Sequence, residues 1–228
     1  MFSLQKKSAV LALGMTLTLG LAACGSNNTE TTGTAGGDTP SSAPSPAAAL
    51  DSLTGKQTAV TLDPAFIKGI TDLKLTPGTV GGATLDAATG KIAFPITGGN
   101  VTYFDPASGV NPFVTGAINH DGSGLSLTGG GKKVELTDFV VDPGESMLTG
   151  KVTVDGEVAF ESAPLFFLDG STVNPLEVKA DEGVAILEGT TVSLTKAAAD
   201  ALNGVFGVTA LTEFFPVGIA EITLTLPS

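Results

Sequence analysis

The stretch Asn119-His120-Asp121-Gly122-Ser123-Gly124 holds the only histidine in 228 residues, next to one acid and three positions before a hydroxyl. An imidazole titrates close to neutrality, so it is the first place to look for proton transfer. General-base catalysis also needs a nucleophile close by in space. No Gly-x-Ser-x-Gly elbow occurs, since Gly144-Glu145-Ser146-Met147-Leu148 lacks the second glycine. The adjacent Asp121 carries no weight, because catalytic triads assemble in space and not along the chain. The same stretch has a faint calcium-loop look, but it lacks alternating acidic ligands and a distal glutamate. The local pattern is a strand end running into a turn. It predicts an exposed, solvated His120, with ligand contact and catalysis as the other readings.

Other chemistry is thin. A glycosidase needs two carboxylates across a cleft, usually with aromatic platforms for sugar, and the chain has no tryptophan and one tyrosine. Gly129-Gly130-Gly131 lies between two apolar alternating runs and not before a helix, so it reads as a turn and not a phosphate cradle. No catalytic residue and no metal ligand is assigned, and no enzyme activity is expected. Two apolar runs break alternation: Pro164-Leu165-Phe166-Phe167-Leu168 and Phe214-Phe215-Pro216-Val217. Such runs either pack between covered layers or form part of a binding pocket. Phe166, Phe167, Phe214 and Phe215 are therefore candidate ligand contacts.

Cys24 is the remaining reactive side chain, and the only cysteine. A metal role fails for want of partners, and no disulfide can form within the chain. Its setting explains it better. Two lysines, Lys6 and Lys7, precede an uncharged, mostly apolar stretch over residues 8–20, too short to span a bilayer as a helix. Leu21-Ala22-Ala23-Cys24 closes that stretch and resembles the lipobox of bacterial lipoproteins, a branched apolar residue and two small ones before an invariant cysteine. The resemblance implies that residues 1–23 are a signal peptide. It also implies that the Cys24 sulfur carries a diacylglyceryl group, whose two acyl chains (palmitate) give stable anchoring where one would be marginal. The expected location is the extracytoplasmic face of the cell membrane, with the lipid as the membrane partner.

Residues 24–49 are rich in Ser, Thr, Gly, Ala and Pro, without an aromatic or a β-branched apolar residue. They cannot bury enough apolar surface to offset chain entropy and are expected to form a disordered linker. The whole chain carries a formal charge of −12, which becomes −14 once Lys6 and Lys7 leave with the signal. All eleven basic residues are lysines. An acidic, arginine-free protein opposes binding to nucleic acid and anionic head groups.

Residues 50–228 must position whatever the protein binds. Here short apolar residues alternate: Ile92/Phe94/Ile96, Leu125/Leu127, Val134/Leu136, Val152/Val154, Val192/Leu194 and Ile222/Leu224/Leu226. Period two marks half-buried strands. Turn formers separate them, among them Gly98-Gly99-Asn100, Asp142-Pro143-Gly144 and Asp155-Gly156, the last a strong hairpin signal. Two short helices are expected: one capped by Asp63 with Pro64 in its first turn and ending near residue 70, and one over residues 196–206 with Ala198, Leu202 and Phe206 on one face. The expected fold is all-β, an antiparallel sandwich or barrel with one or two short helices, in a single domain.

Four phrases, "FPITGG" (94–99), "VELTDFVVDPGESMLTGKV" (134–152), "TTVSLTKAAADALNGVFGV" (190–208) and "FPVGIAEITLT" (215–225), make the body similar to secreted HtaA-type β-domains. That resemblance implies an all-β domain and, in some members, haem capture through a tyrosine and a histidine. Tyr103 and His120 are the only residues of those types here, so any such role falls on them; the tryptophan-containing opening of those domains is missing. Together these readings give a membrane-anchored cell-envelope lipoprotein whose β-domain is a non-enzymatic binding or surface-display module for an envelope protein partner or an apolar small ligand. No cofactor is assigned. The alternative is a carrier of an apolar ligand, lipid or haem, ahead of a hydrolase.

Overall fold

A computed structural model describes residues 44–53 and 55–226, all within the second of two compact units, Ser42–Ser228. Leu21, Ala22, Ala23 and Cys24 lie outside the described residues, as do the signal peptide and most of the linker. The elements are β1 (Ala48–Leu50), β2 (Gly55–Leu62), α1 (Pro64–Asp72), β3 (Thr76–Gly81), β4 (Thr84–Asp86), β5 (Lys91–Pro95), β6 (Gly98–Tyr103), β7 (Val114–Gly129), β8 (Lys132–Asp142), β9 (Met147–Val154), β10 (Glu157–Asp169), β11 (Glu177–Lys179), β12 (Val184–Leu194), α2 (Lys196–Phe206) and β13 (Pro216–Thr225). The first strand begins two residues inside the stretch expected as linker, with Ala48 and Ala49 paired to Tyr103 and Thr102.

Local chemistry explains both helices. Asp63 accepts a hydrogen bond from the Ala65 N–H at 2.6 Å and Pro64 opens the first turn, so α1 starts where a cap and a proline coincide. Its buried residues, Phe66 and Ile70, lie four apart on one face. Thr195 caps α2 through the Ala198 N–H at 3.1 Å, and a left-handed Gly207 ends it. At the β9–β10 turn Asp155 and Gly156 both take positive φ, 51° and 89°, the conformation a two-residue hairpin requires.

All thirteen strands among the described residues join one antiparallel sheet. Its main path runs β1-β6-β7-β8-β9-β10-β12-β13-β2-β5-β4, with β3 added to β7 and β11 to β12. Strands β5 and β6 stand near opposite ends of that path, yet only Ile96 and Thr97 separate them in sequence. The sheet must therefore curl back on itself, and it forms a half-barrel with an enclosed inner face. The Thr97 N–H donates to Asn119 O at 2.8 Å and fastens this junction to β7. Gly98-Gly99-Asn100, expected as a turn, is instead the start of β6, paired with Asn119, Ile118 and Ala117. Gly99 serves close approach: a Cβ there would fall 2.0 Å from Ala117 O.

Bulges bend the sheet. On β7 the register slips between His120 and Gly124, and on β8 between Thr137 and Val140. A bulge reverses the in–out parity of a strand. Ile118 and His120 face inward before it, and Ser123 and Leu127 are buried after it. The β7 bulge lies where that strand changes partners, from β6, paired through Asn119, to β3, paired from Ser123 onward.

Candidate ligand-binding site

The inner face of the curl is solid at one end and hollow at the other. Under α1 and α2, buried Phe66, Ile70, Leu75, Leu194, Ala199 and Leu202 fill the space, leaving a void of only about 30 Å³. Beyond a partition of Leu62, Ile92, Leu125, Phe166 and Val217, which line both spaces, a cavity of about 420 Å³ opens. Apolar side chains from β1, β2, β5 to β13 dominate its wall, including Val60, Phe94, Phe139, Val192 and Leu224. The connections around Pro112-Phe113, Pro143, Ser146 and Gly170-Ser171 border it at the end away from the helices. The volume falls in the range of roughly 300–1,000 Å³ typical of small-molecule sites.

His120 lies on this wall, and the structure corrects the expectation of an exposed turn residue: its relative exposure is 1%. The residues that read as a turn form the β7 bulge, which turns the imidazole into the curl. Nε2 lies 2.8 Å from Thr58 Oγ1, on β2 across the interior. The Phe94 ring meets the imidazole edge-on with centroids 6.4 Å apart. Among the described residues, Nδ1 is the one buried side-chain polar atom with no hydrogen-bond partner. Burial pushes the His120 pKa down to about 4, against smaller opposing effects from the backbone of Phe139, the charge of Asp121 and the backbone of Ile118. The ring is therefore neutral at physiological pH.

The neighbours of His120 are engaged elsewhere. Asp121 accepts from the Thr97 hydroxyl at 2.8 Å, and the Gly122 N–H donates to Asp138 at 2.8 Å. The Ser123 hydroxyl donates to His120 O at 3.1 Å. The stretch is a tied-down bulge, and no described group of three or more His, Cys, Asp or Glu could hold a metal ion.

The other candidates divide. Tyr103 is buried on the cavity wall, its ring edge-on to Phe113 at 6.2 Å. Phe166 and Phe167 also line the cavity. Phe214 does not: it is 59% exposed, with positive φ, and its ring meets Phe167 at 5.4 Å. Phe215 turns to the helical end, 6.4 Å from Phe66. Sequence reasoning missed Thr58, which alternates with Val60 and Leu62 along β2 but gives no sign of a histidine partner.

A curled antiparallel β-domain with one hollow end is the class of structure that this fold and this interior define. No protein-family model matches the chain, and no curated protein does. Among solved structures, the C-terminal domain of HtaA from Corynebacterium glutamicum is similar over 77% of this chain and 99% of that domain, with a TM-score of 0.52 and 16% identity. The N-terminal domain of the same HtaA covers the same shares with a TM-score of 0.43 and 14% identity. A domain-swapped dimer of a histidine-to-alanine variant of the C-terminal domain covers 71% of this chain and 88% of its own, with a TM-score of 0.43 and 17% identity. At such identities the likeness is one of fold, and it agrees with the all-β expectation and the HtaA-type resemblance.

Proposed function

We propose that this protein is a membrane-anchored envelope module whose β-domain holds an apolar small molecule inside the curled sheet and acts without catalysing a reaction. One observation carries the reading: a cavity of about 420 Å³ with an almost wholly apolar wall. Emptying such a space leaves its lining without van der Waals partners or fills it with poorly bonded water, so an apolar guest gains on both counts. A hydrolytic role is disfavoured. A general base works best with a pKa near the operating pH, whereas His120 sits near 4 and its hydrogen-bonded partner is Thr58, with no orienting carboxylate. Mass spectrometry of the full chain purified from its native envelope is expected to find a co-purifying apolar molecule. Repeated isolation with nothing bound, together with failure to take up any apolar probe, sinks the reading.

Haem is the second reading, favoured by Tyr103 and His120 sharing one cavity wall. The residues fit in part: Tyr103 lies on the wall, while His120 Nε2 is taken by Thr58 and its Nδ1 has almost no accessible surface. Bound haem would supply an iron centre, which the protein would hold dry. Titration of the protein with haem decides it: a Soret shift lost in both Tyr103→Ala and His120→Ala supports haem, and no shift removes it.

A further inference from the structure

Resting on the reading that the cavity holds an apolar molecule, we infer that this ligand passes through the side of the curl, beside β11. Residues 170–179 form a strap that swings off β12 to let it through. Unequal strand lengths leave the opening. β9 accompanies β10 only as far as Met147, opposite Phe167, whereas β12 runs on past Thr191, the partner of Asp169, to Val184. Over that extra length the strap covers β12 and pairs with it at Glu177–Lys179. Among the described residues β11 has no second partner strand, so its far edge is free. Where β9 stops, Pro143 and Ser146 of the turn before it line the cavity, as do Val173, Leu176 and Val178 of the strap.

The strap is the part of this wall held least. Strands β6 to β10, β12 and β13 each have partners on both sides, whereas β11 has one on a single side. Its side chains make a single layer: Val178 lines the cavity and is also 56% exposed. Segments that bury little apolar surface are the first to open. Ahead of β11 the attachment is narrow. The Thr172 hydroxyl donates to Gly189 O at 2.6 Å and accepts from the Thr191 N–H at 3.1 Å, and the Asn174 N–H donates to Glu188 O at 2.7 Å. Their seat is the bulge of β12 between Glu188 and Thr190, where a Cβ on Gly189 would fall 2.6 Å from Thr172 O. Thr172 is thus the latch, closing the strap against a glycine. Such a strap sets how fast a ligand passes in both directions and leaves the closed, bound state as it was.

The test uses the full chain carrying Cys24→Ser, which removes the only cysteine, with Glu177→Cys and Ile186→Cys added. These two positions face each other in the β11–β12 ladder, on the side away from Val178 and Ala185, which line the cavity. Facing residues of an antiparallel ladder lie about 4.5–5.5 Å apart at Cα, within disulfide range. Uptake and release of the uncharged fluorophore Nile red are timed by stopped flow. Oxidation is expected to slow both about tenfold with the equilibrium affinity unchanged, and a reductant to restore them. Thr172→Val, which needs no disulfide, is expected to quicken both about fivefold, the worth of one hydrogen bond. Rates indifferent to oxidation or to Thr172→Val overturn the strap and leave the cavity reading standing. A change in affinity without matching changes in both rates does the same. Failure of the parent chain to take up Nile red removes the cavity reading itself. Thr172→Val decides the matter alone if the paired cysteine variant does not fold.

Discussion

His120 makes the stability of this domain depend on pH between about 4 and the ordinary histidine value. The ordinary histidine pKa is about 6.5, and burial holds this one near 4 in the folded chain. As pH falls from about 6.5 towards 4, the unfolded chain takes up a proton that the folded chain refuses, and stability declines. Above that window the full contribution is present; below it both states are protonated and the loss is complete. The gap corresponds to a loss of order 3 kcal/mol. Asp86, Asp155 and Asp169 act lower. Each has its pKa reduced mainly by a hydrogen bond, from Thr89, Lys132 and Ser171 respectively, so their help is present above the ordinary aspartate value and lost as pH drops below it. Denaturant midpoints measured against pH are therefore expected to fall in two stages, and His120→Leu should flatten only the upper one. An unchanged upper stage in that variant assigns the titration to another group.

The bulge on β7 is the element that puts the histidine in place. Gly124 and Gly122 contribute differently. A Cβ at Gly124 would lie 2.0 Å from Leu136 O, a backbone atom of the paired strand, whereas Gly122 has open space around it and needs only its φ of +67°. Gly124→Ala is expected to cost about 3 kcal/mol by forcing β7 from β8, and Gly122→Ala about 1 kcal/mol through backbone strain alone. Thermal or denaturant midpoints check the order, and a larger loss at Gly122 would contradict this account. The same element marks the limit of what the sequence discloses. Both helices, the Asp63 cap of the first, and the Asp155-Gly156 hairpin were legible, because each depends on residues within a few positions of one another. His120 was not. Leu125 and Leu127 alternate correctly after the bulge and Ile118 before it, but a break in parity containing Asn, Asp, Gly and Ser has the composition of a turn. Only the pairing of Gly122 with Asp138 and of Asp121 with Thr97 converts it into a strand irregularity, and both partners are distant in sequence. Gly98-Gly99 misleads in the same way, since nothing local distinguishes a glycine that turns the chain from one that admits a neighbouring carbonyl. The phenylalanine pairs were half legible: Phe166 and Phe167 line the cavity, while Phe214 is exposed beside Phe167 and Phe215 packs on Phe66 at the helical end.

At the scale of the whole molecule, the anchor and the acidic charge belong to one proposal: a lipid at Cys24 holds a domain that anionic surfaces repel. Cys24→Ser is expected to abolish metabolic labelling by a clickable fatty acid and to release the protein from membranes. Undiminished labelling in that variant refutes the anchor. Within the domain, the solid end under the helices closes the hollow beyond the Leu62–Phe166 partition on that side. A guest therefore neither enters nor leaves beneath the helices, and any exchange of cargo with a donor or an acceptor has to take place elsewhere on the wall.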